Sequence, residues 1–255
     1  MIIDYIQTLP ILQELYEQPR DFARFEWYLK QMLGENEAGE TDVVMPITAV
    51  NPMGRDNCLA AIKTLRALEA DDIAQAAFLE AATAFSDVDQ QVRVASYLVD
   101  DVGGAWSNRY VMEAGERLLV DEKRLAAWEK RPFVMLPCWT SERYTAEKLV
   151  EEARAALYRY GFAQRHGVVQ TLGELMRLDG EARAFAGAAV TLDADELAYT
   201  AELIEPFLPS TDYPVQVACL FGDEAAKELG YEPQGFAAYA GFELALGQAL
   251  QQQQD

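Results

Sequence analysis

The chain has little of what metal and nucleophile chemistry usually requires. Its 255 residues include one histidine, His166, and three cysteines, Cys58, Cys138 and Cys219. The cysteines are far apart and form no C-x-x-C pair, which excludes a zinc-ribbon or dithiol motif. They read as reduced, buried thiols in a cytoplasmic protein. No E-x-x-H or H-x-x-x-H occurs, so a helical zinc or di-iron centre lacks its ligands, and no cofactor or metal is expected. There is no P-loop, no G-x-G-x-x-G and no G-x-S-x-G. Apolar runs such as Phe133–Trp139 are far too short to span a bilayer. The start, Met1-Ile2-Ile3-Asp4, has an early acid and no basic region, unlike a signal peptide. No Gly/Ser-rich or Pro-rich linker divides the chain.

Basic residues are also scarce, and their placement is uneven. Net charge is −21, yet residues 109–183 hold 13 of the 21 Lys and Arg against 12 Asp and Glu. That segment is near neutral, and the remaining 180 residues carry −22. An acidic surface repels phosphate backbones and anionic membranes, so neither nucleic acid nor membrane is expected as a partner. A DNA-mimicking surface would need ordered acids, and these are scattered. Solubility is the simplest consequence of the charge. Any anionic ligand is expected to meet arginines of the middle segment.

What the sequence does have is helical periodicity. The expected fold is mainly α, one multi-helix domain of about ten or eleven helices over 1–250, with a frayed Gln-rich tail at 251–255 and at most a small two-stranded β element. Apolar spacing predicts a helix over 2–17, kinked or divided at Pro10, and a second helix from Pro19 that stops at Gly34. Residues 34–42 read as a solvated loop, and 43–50 as an extended piece. Asn51-Pro52-Met53-Gly54 has the residue preferences of a type I turn. A helix through Cys58, Ile62, Leu65 and Leu68 follows, and Asp71 or Asp72 caps the next. Ser86 to Asp89 has capping-box form, predicting a helix with Val88, Val92, Ala95 and Val99 on one face. Further helices are expected over 106–119, 121–130, 145–166 and 171–176. Others are expected from Asp193, over 223–230 and over 234–250. The small apolar residues of 180–190 suit close helix packing. Phe133–Trp139 is the second extended piece. Pro137 argues for an edge or irregular position, and a ribbon with 43–50 is one arrangement of the two.

The densest group of functional side chains is D-D-V-G-G-A-W-S-N-R-Y at 100–110. Asp100, Asp101, Trp106, Asn108, Arg109 and Tyr110 are the candidate ligand-binding residues there. The Asp pair invites comparison with the D-D-x-x-D of helical prenyl-diphosphate enzymes, but Gly104 stands where the third acid belongs. The region reads as a helix–Gly-Gly–helix corner, with Arg109 pairing to Asp100 or Asp101. Weaker candidates are Cys138, Trp139, Tyr144 and His166. A thiolate at Cys138 near a helix start, with His166 as base, would make a nucleophile pair. Glu113 and Glu116 lie one turn apart but lack a histidine partner. Two function classes remain open. One is an acidic module that binds a protein or small molecule, with a homo-oligomer as one form. The other is an enzyme with a pocket at Gly103-Gly104 that uses Asp100, Asp101 and Arg109.

Overall fold

The computed structural model describes residues 1–35, 39, 41–45, 47, 49–102 and 106–253. In chain order the elements are β1 (Ile2–Tyr5), α1 (Leu9–Glu17), α2 (Phe22–Met32), β2 (Leu33–Glu35), β3 (Thr41–Val43), α3 (Asp56–Ala67) and α4 (Ala70–Ala82). Next come β4 (Gln91–Val99), α5 (Arg109–Leu118), α6 (Glu122–Lys130), β5 (Phe133–Trp139) and α7 (Ala146–His166). The chain closes with α8 (Leu172–Ala186), α9 (Ala194–Ile204), α10 (Tyr213–Phe221), α11 (Asp223–Glu228) and α12 (Ala240–Gln252). The chain is mainly helical, as its periodicity predicts. It also holds more strand than expected: a three-stranded parallel sheet in the order β1-β4-β5, and the antiparallel pair β2-β3.

The residues cluster into two compact units, Met1–Asn108 with Pro132–Ala153, and Arg109–Arg131 with Arg154–Asp255. The first unit is built on the parallel sheet. β4 is its central strand, paired with β1 from Ile2↔Gln91 and with β5 from Arg93↔Phe133 to Val99↔Trp139. All but its first and third residues are buried. A strand covered on both faces shows no polar alternation. Val92, Ala95 and Val99 therefore satisfied a helical spacing merely because nearly every residue around them is apolar or small. The helix expected from Ser86 is replaced by a 3-10 turn (Thr83–Phe85), a short turn at Val88 and then β4. The helix expected over 2–17 is likewise split. Ile2–Tyr5 is a strand, and Pro10 lies in the first turn of α1, where its missing N–H costs nothing.

Pro137 sits in β5, an edge of the sheet, as its missing donor demands. β5 pairs with β4, not with 43–50. In that second piece only Val43 is in a strand, and Pro46 and Thr48 lie outside the described residues. The loop expected over 34–42 is bounded by β2 and β3, which pair Gly34 with Asp42. Asp71 is no cap. It is buried in α4 and accepts a hydrogen bond from Tyr5 Oη at 2.8 Å. Leu12, Leu15, Ile62, Phe78, Val94, Leu98 and Leu136 fill this unit's core.

The second unit is helical. Phe162, Leu172, Leu175, Phe221, Phe242 and Leu244 form its core. α8 carries a full capping box between Thr171 and Glu174 and runs through what the sequence suggested was a short helix and a small-residue stretch. The close packing expected of 180–190 is present at Gly180, where a Cβ would come 2.3 Å from the Ala245 carbonyl oxygen of α12. Residues 106–108 precede α5, which starts only at Arg109. α12 continues through Gln252.

Candidate functional site

Parallel strands leave their functional side chains in the loops beyond their carboxyl ends. In the first unit those loops start at Asp100, after β4, and at Thr140, after β5. Asp100 and Asp101 thus end a strand, not a helix. Asp100 is buried. Its Oδ1 accepts from Asn57 Nδ2 at 2.9 Å, and its Oδ2 from Asn51 Nδ2 at 3.1 Å. Asp101 Oδ1 accepts from Thr140 Oγ1 at 2.9 Å and from Ser141 N at 3.0 Å, and its Oδ2 from Ser141 Oγ at 2.6 Å. The Thr140 hydroxyl has one proton, and the shorter contact with Asp101 takes it. Its 3.4 Å approach to Asp100 Oδ1 is the weaker one. Asp100 is therefore held by two side-chain amides, and both of its oxygens are occupied.

Asn51 belongs to the loop between β3 and α3, and Asn57 to the first turn of α3. Asn51 Oδ1 accepts from Met53 N at 3.0 Å and Asn51 O from Gly54 N at 3.1 Å, so the turn expected at Asn51-Pro52-Met53-Gly54 forms. Tyr16 Oη donates to Asn51 O at 3.0 Å. Gly54 is required by packing. A Cβ there would lie 2.6 Å from Cys58 Sγ and 2.9 Å from Tyr16 Cε1. Burial pushes the Cys58 thiol up to about 12, with the nearby Asp100 charge adding to the effect. Cys58 is thus an inert part of this packing.

The same loop borders an open cavity of about 350 Å3, to which it contributes Gly54, Arg55 and Asp56. Tyr16, Gln18, Arg20 and Arg24, from the end of α1 and the start of α2, complete the wall. Arg24 is only 3% exposed. Its Nη2 donates to Gly54 O at 3.1 Å, and its guanidinium lies 4.9 Å from the Tyr16 ring centroid. Its Nε is buried with no acceptor. Burial lowers the Arg24 pKa, but arginine remains charged at any ordinary pH. Arg20 and Arg55 are exposed.

The other sequence candidates are distributed as follows. Trp106 is 61% exposed, and Asn108 is exposed. Gly103 and Gly104, the expected corner, lie outside the described residues. Arg109 and Tyr110 open α5 in the second unit. Arg109 Nε is 2.6 Å from Glu113 Oε1, and Tyr110 packs edge-on to Phe221. Glu113 also accepts from Tyr239 Oη at 3.1 Å, and Glu116 accepts from Arg124. Trp139 is buried at the end of β5, and its N–H donates to Tyr144 Oη at 2.9 Å. Cys138 lies inside β5 and is fully buried, not at a helix start, and burial pushes its thiol well above the usual range. It belongs to the first unit. His166, exposed at the end of α7 and stacked at 4.2 Å on Phe162, belongs to the second. Among the described residues no group of three or more His, Cys, Asp and Glu could hold a metal ion. No described helix is long and apolar enough to cross a membrane.

The sequence singles out Asp100 and Asp101 but not their partners Asn51, Asn57, Thr140 and Ser141, nor Arg20, Arg24 and Arg55 of the cavity. The available signal was the turn-forming Asn51-Pro52-Met53-Gly54 immediately before a helix. No protein-family model matches the chain, and comparisons with curated proteins and with solved structures give no significant match.

Proposed function

We propose that the first unit is a small-ligand-binding module whose ligand occupies the cavity beside residues 51–57. One observation carries this reading: a buried carboxylate, Asp100, uses both oxygens to fix Asn51 in the loop and Asn57 in the first turn of α3, and residues between them wall an open cavity of about 350 Å3. That volume lies in the lower part of the range of small-molecule sites, roughly 300–1,000 Å3. The wall is held in place by side chains that do not themselves face a ligand, as a preorganised site requires. Asp100 is then a positioning residue. The alternative, an enzyme using Asp100, Asp101 and Arg109, would need a carboxylate oxygen open to substrate. Both oxygens of Asp100 already accept hydrogen bonds, which favours binding.

Protein-observed NMR with a fragment library provides the test. Bound fragments should shift the amides of Gly54, Arg55 and Asn57 before any others. In Asp100→Asn a carboxamide must face two donor amides, so the loop is released and fragment affinity falls about tenfold or more. Fragment shifts confined to other surfaces, or binding unchanged in Asp100→Asn, would remove the reading.

A further inference from the structure

We infer that this cavity recognises a small oxyanion, a phosphate or carboxylate group, through Arg24 backed by Arg20 and Arg55. The inference rests on the ligand-binding reading above and deepens it. Outside residues 109–183 the chain has only eight basic residues, and three of them line this one cavity against a single acid, Asp56. In a chain of net charge −21, such a concentration is not what random placement produces.

Two independent features point to an anion. The first is Arg24. A buried guanidinium normally satisfies its donors on a carboxylate, because taking the charge out of water is costly. Among the described residues Arg24 has no carboxylate partner. It donates once to Gly54 O, faces the Tyr16 ring and leaves Nε without an acceptor. Its guanidinium borders the cavity without a neutralising carboxylate, and the planar charged fork of arginine is a common binder of oxyanions. The second is the start of α3. Its N-cap is Arg55, whose side chain cannot accept a hydrogen bond from the first turn, and no side-chain cap forms. The first N–H groups of this helix thus lack a side-chain cap, and Asp56 is the one acid in its first turn. Arg20 and Arg55 make no ion pair among the described residues, so both are available to a ligand. The same shared chemistry fits a phosphate ester or a carboxylic acid.

Isothermal titration calorimetry on the full chain, with inorganic phosphate and malonate as probes, tests this at low and high chloride. At least one probe should bind, more weakly at high ionic strength, and the stronger of the two identifies the source of the oxyanion. Each of Arg20→Gln and Arg55→Gln should weaken it several-fold, and Arg24→Gln about tenfold or more, with far-UV circular dichroism unchanged. The two exposed arginines keep the test open if Arg24→Gln fails to fold. Probe binding that is unaltered by Arg20→Gln and Arg55→Gln would overturn the inference. Neutral fragments at Gly54 and Asn57 with no anion binding would also overturn it while leaving the module intact. The absence of any ligand at these amides would remove both.

Discussion

The two units use arginine in opposite ways. In the second unit, Arg117 Nη2 and Arg159 Nη2 lie 2.7 and 2.8 Å from the two oxygens of Asp179, which is almost wholly buried. Arg183 Nη2 lies 2.9 Å from Glu243 Oε1, and Thr191 N and Oγ1 both donate to Glu243 Oε2. Arg117 also sits over the Phe242 ring. In the first unit Arg24 is more deeply buried than any of these, but its acceptor is one peptide carbonyl, and Nε has none. An arginine whose fork is filled by the chain's own carboxylates holds helices together. One whose fork is left open beside a cavity has capacity for a molecule from outside. The distribution of charge along the sequence points to the arginine-rich middle segment for anions, where the structure forms ion pairs.

The largest effect expected from breaking this contrast is at Asp179. Burial alone would raise its pKa, but Arg117 and Arg159 overcome that and hold it well below the usual carboxylate range. Asp179→Asn leaves two partly buried guanidinium groups without a counter-charge and should destabilise the fold by about 3 kcal/mol in urea unfolding. A loss under about 1 kcal/mol would mean that the arginines escape to solvent and that the triad is not structural.

The pH response should separate the units next. Asp179 and Glu243 have folded pKa values below their unfolded ones, so the stability they contribute is present above about pH 4 and is lost as pH falls through the lower folded values. In the first unit burial pushes the Asp71 carboxyl up to about 6, against the hydrogen bond from Tyr5, which lowers it. A raised carboxyl pKa works with the opposite sign. Its contribution is complete below about pH 4 and is lost as pH rises through about 6, at a cost of about 2 kcal/mol. Amide exchange corrected for intrinsic rates should therefore slow in β1 and α4 on going from pH 7 to pH 5, with no such change in α8 and α12. Asp71→Asn should abolish the slowing. Equal behaviour of both sets of amides would contradict the assignment.

Much of this was legible from residue order, and the failures have a common cause. Helices with real polar faces and caps were recovered. Asp193 accepts from Glu196 N, the Thr145 hydroxyl accepts from Lys148 N, and Gly167 follows α7 at a positive φ of 78°. The central strand was not, because in a sheet covered on both faces Val92 to Val99 offer no alternation to set against a helical spacing. Once β4 is read as a helix, Asp100 becomes a helix end, and its place at a strand end beside Asn51, Asn57 and Thr140 disappears from view. The cavity was illegible for a different reason. Arg20, Arg24 and Arg55 are unremarkable in sequence. They meet only because the end of α1, the start of α2 and the loop before α3 come together around Tyr16 and Gly54.

The smallest expected stability change gives the sharpest test of the contrast. Arg24→Met keeps an unbranched apolar stem while removing the guanidinium. The Gly54 carbonyl loses a partner, which costs about 1 kcal/mol. Against this, a buried charge and an unsatisfied buried donor disappear, and that relief is of similar or greater size. The net change should fall within about 1 kcal/mol of zero in either direction, several-fold less than for Asp179→Asn. Phosphate or malonate affinity should still drop by about tenfold or more. A residue whose removal leaves stability unchanged and abolishes anion binding is held in place for a ligand. If Arg24→Met instead unfolds the chain as readily as Asp179→Asn, the two units use arginine alike, and the open fork of Arg24 is a structural group whose acceptor is the loop itself.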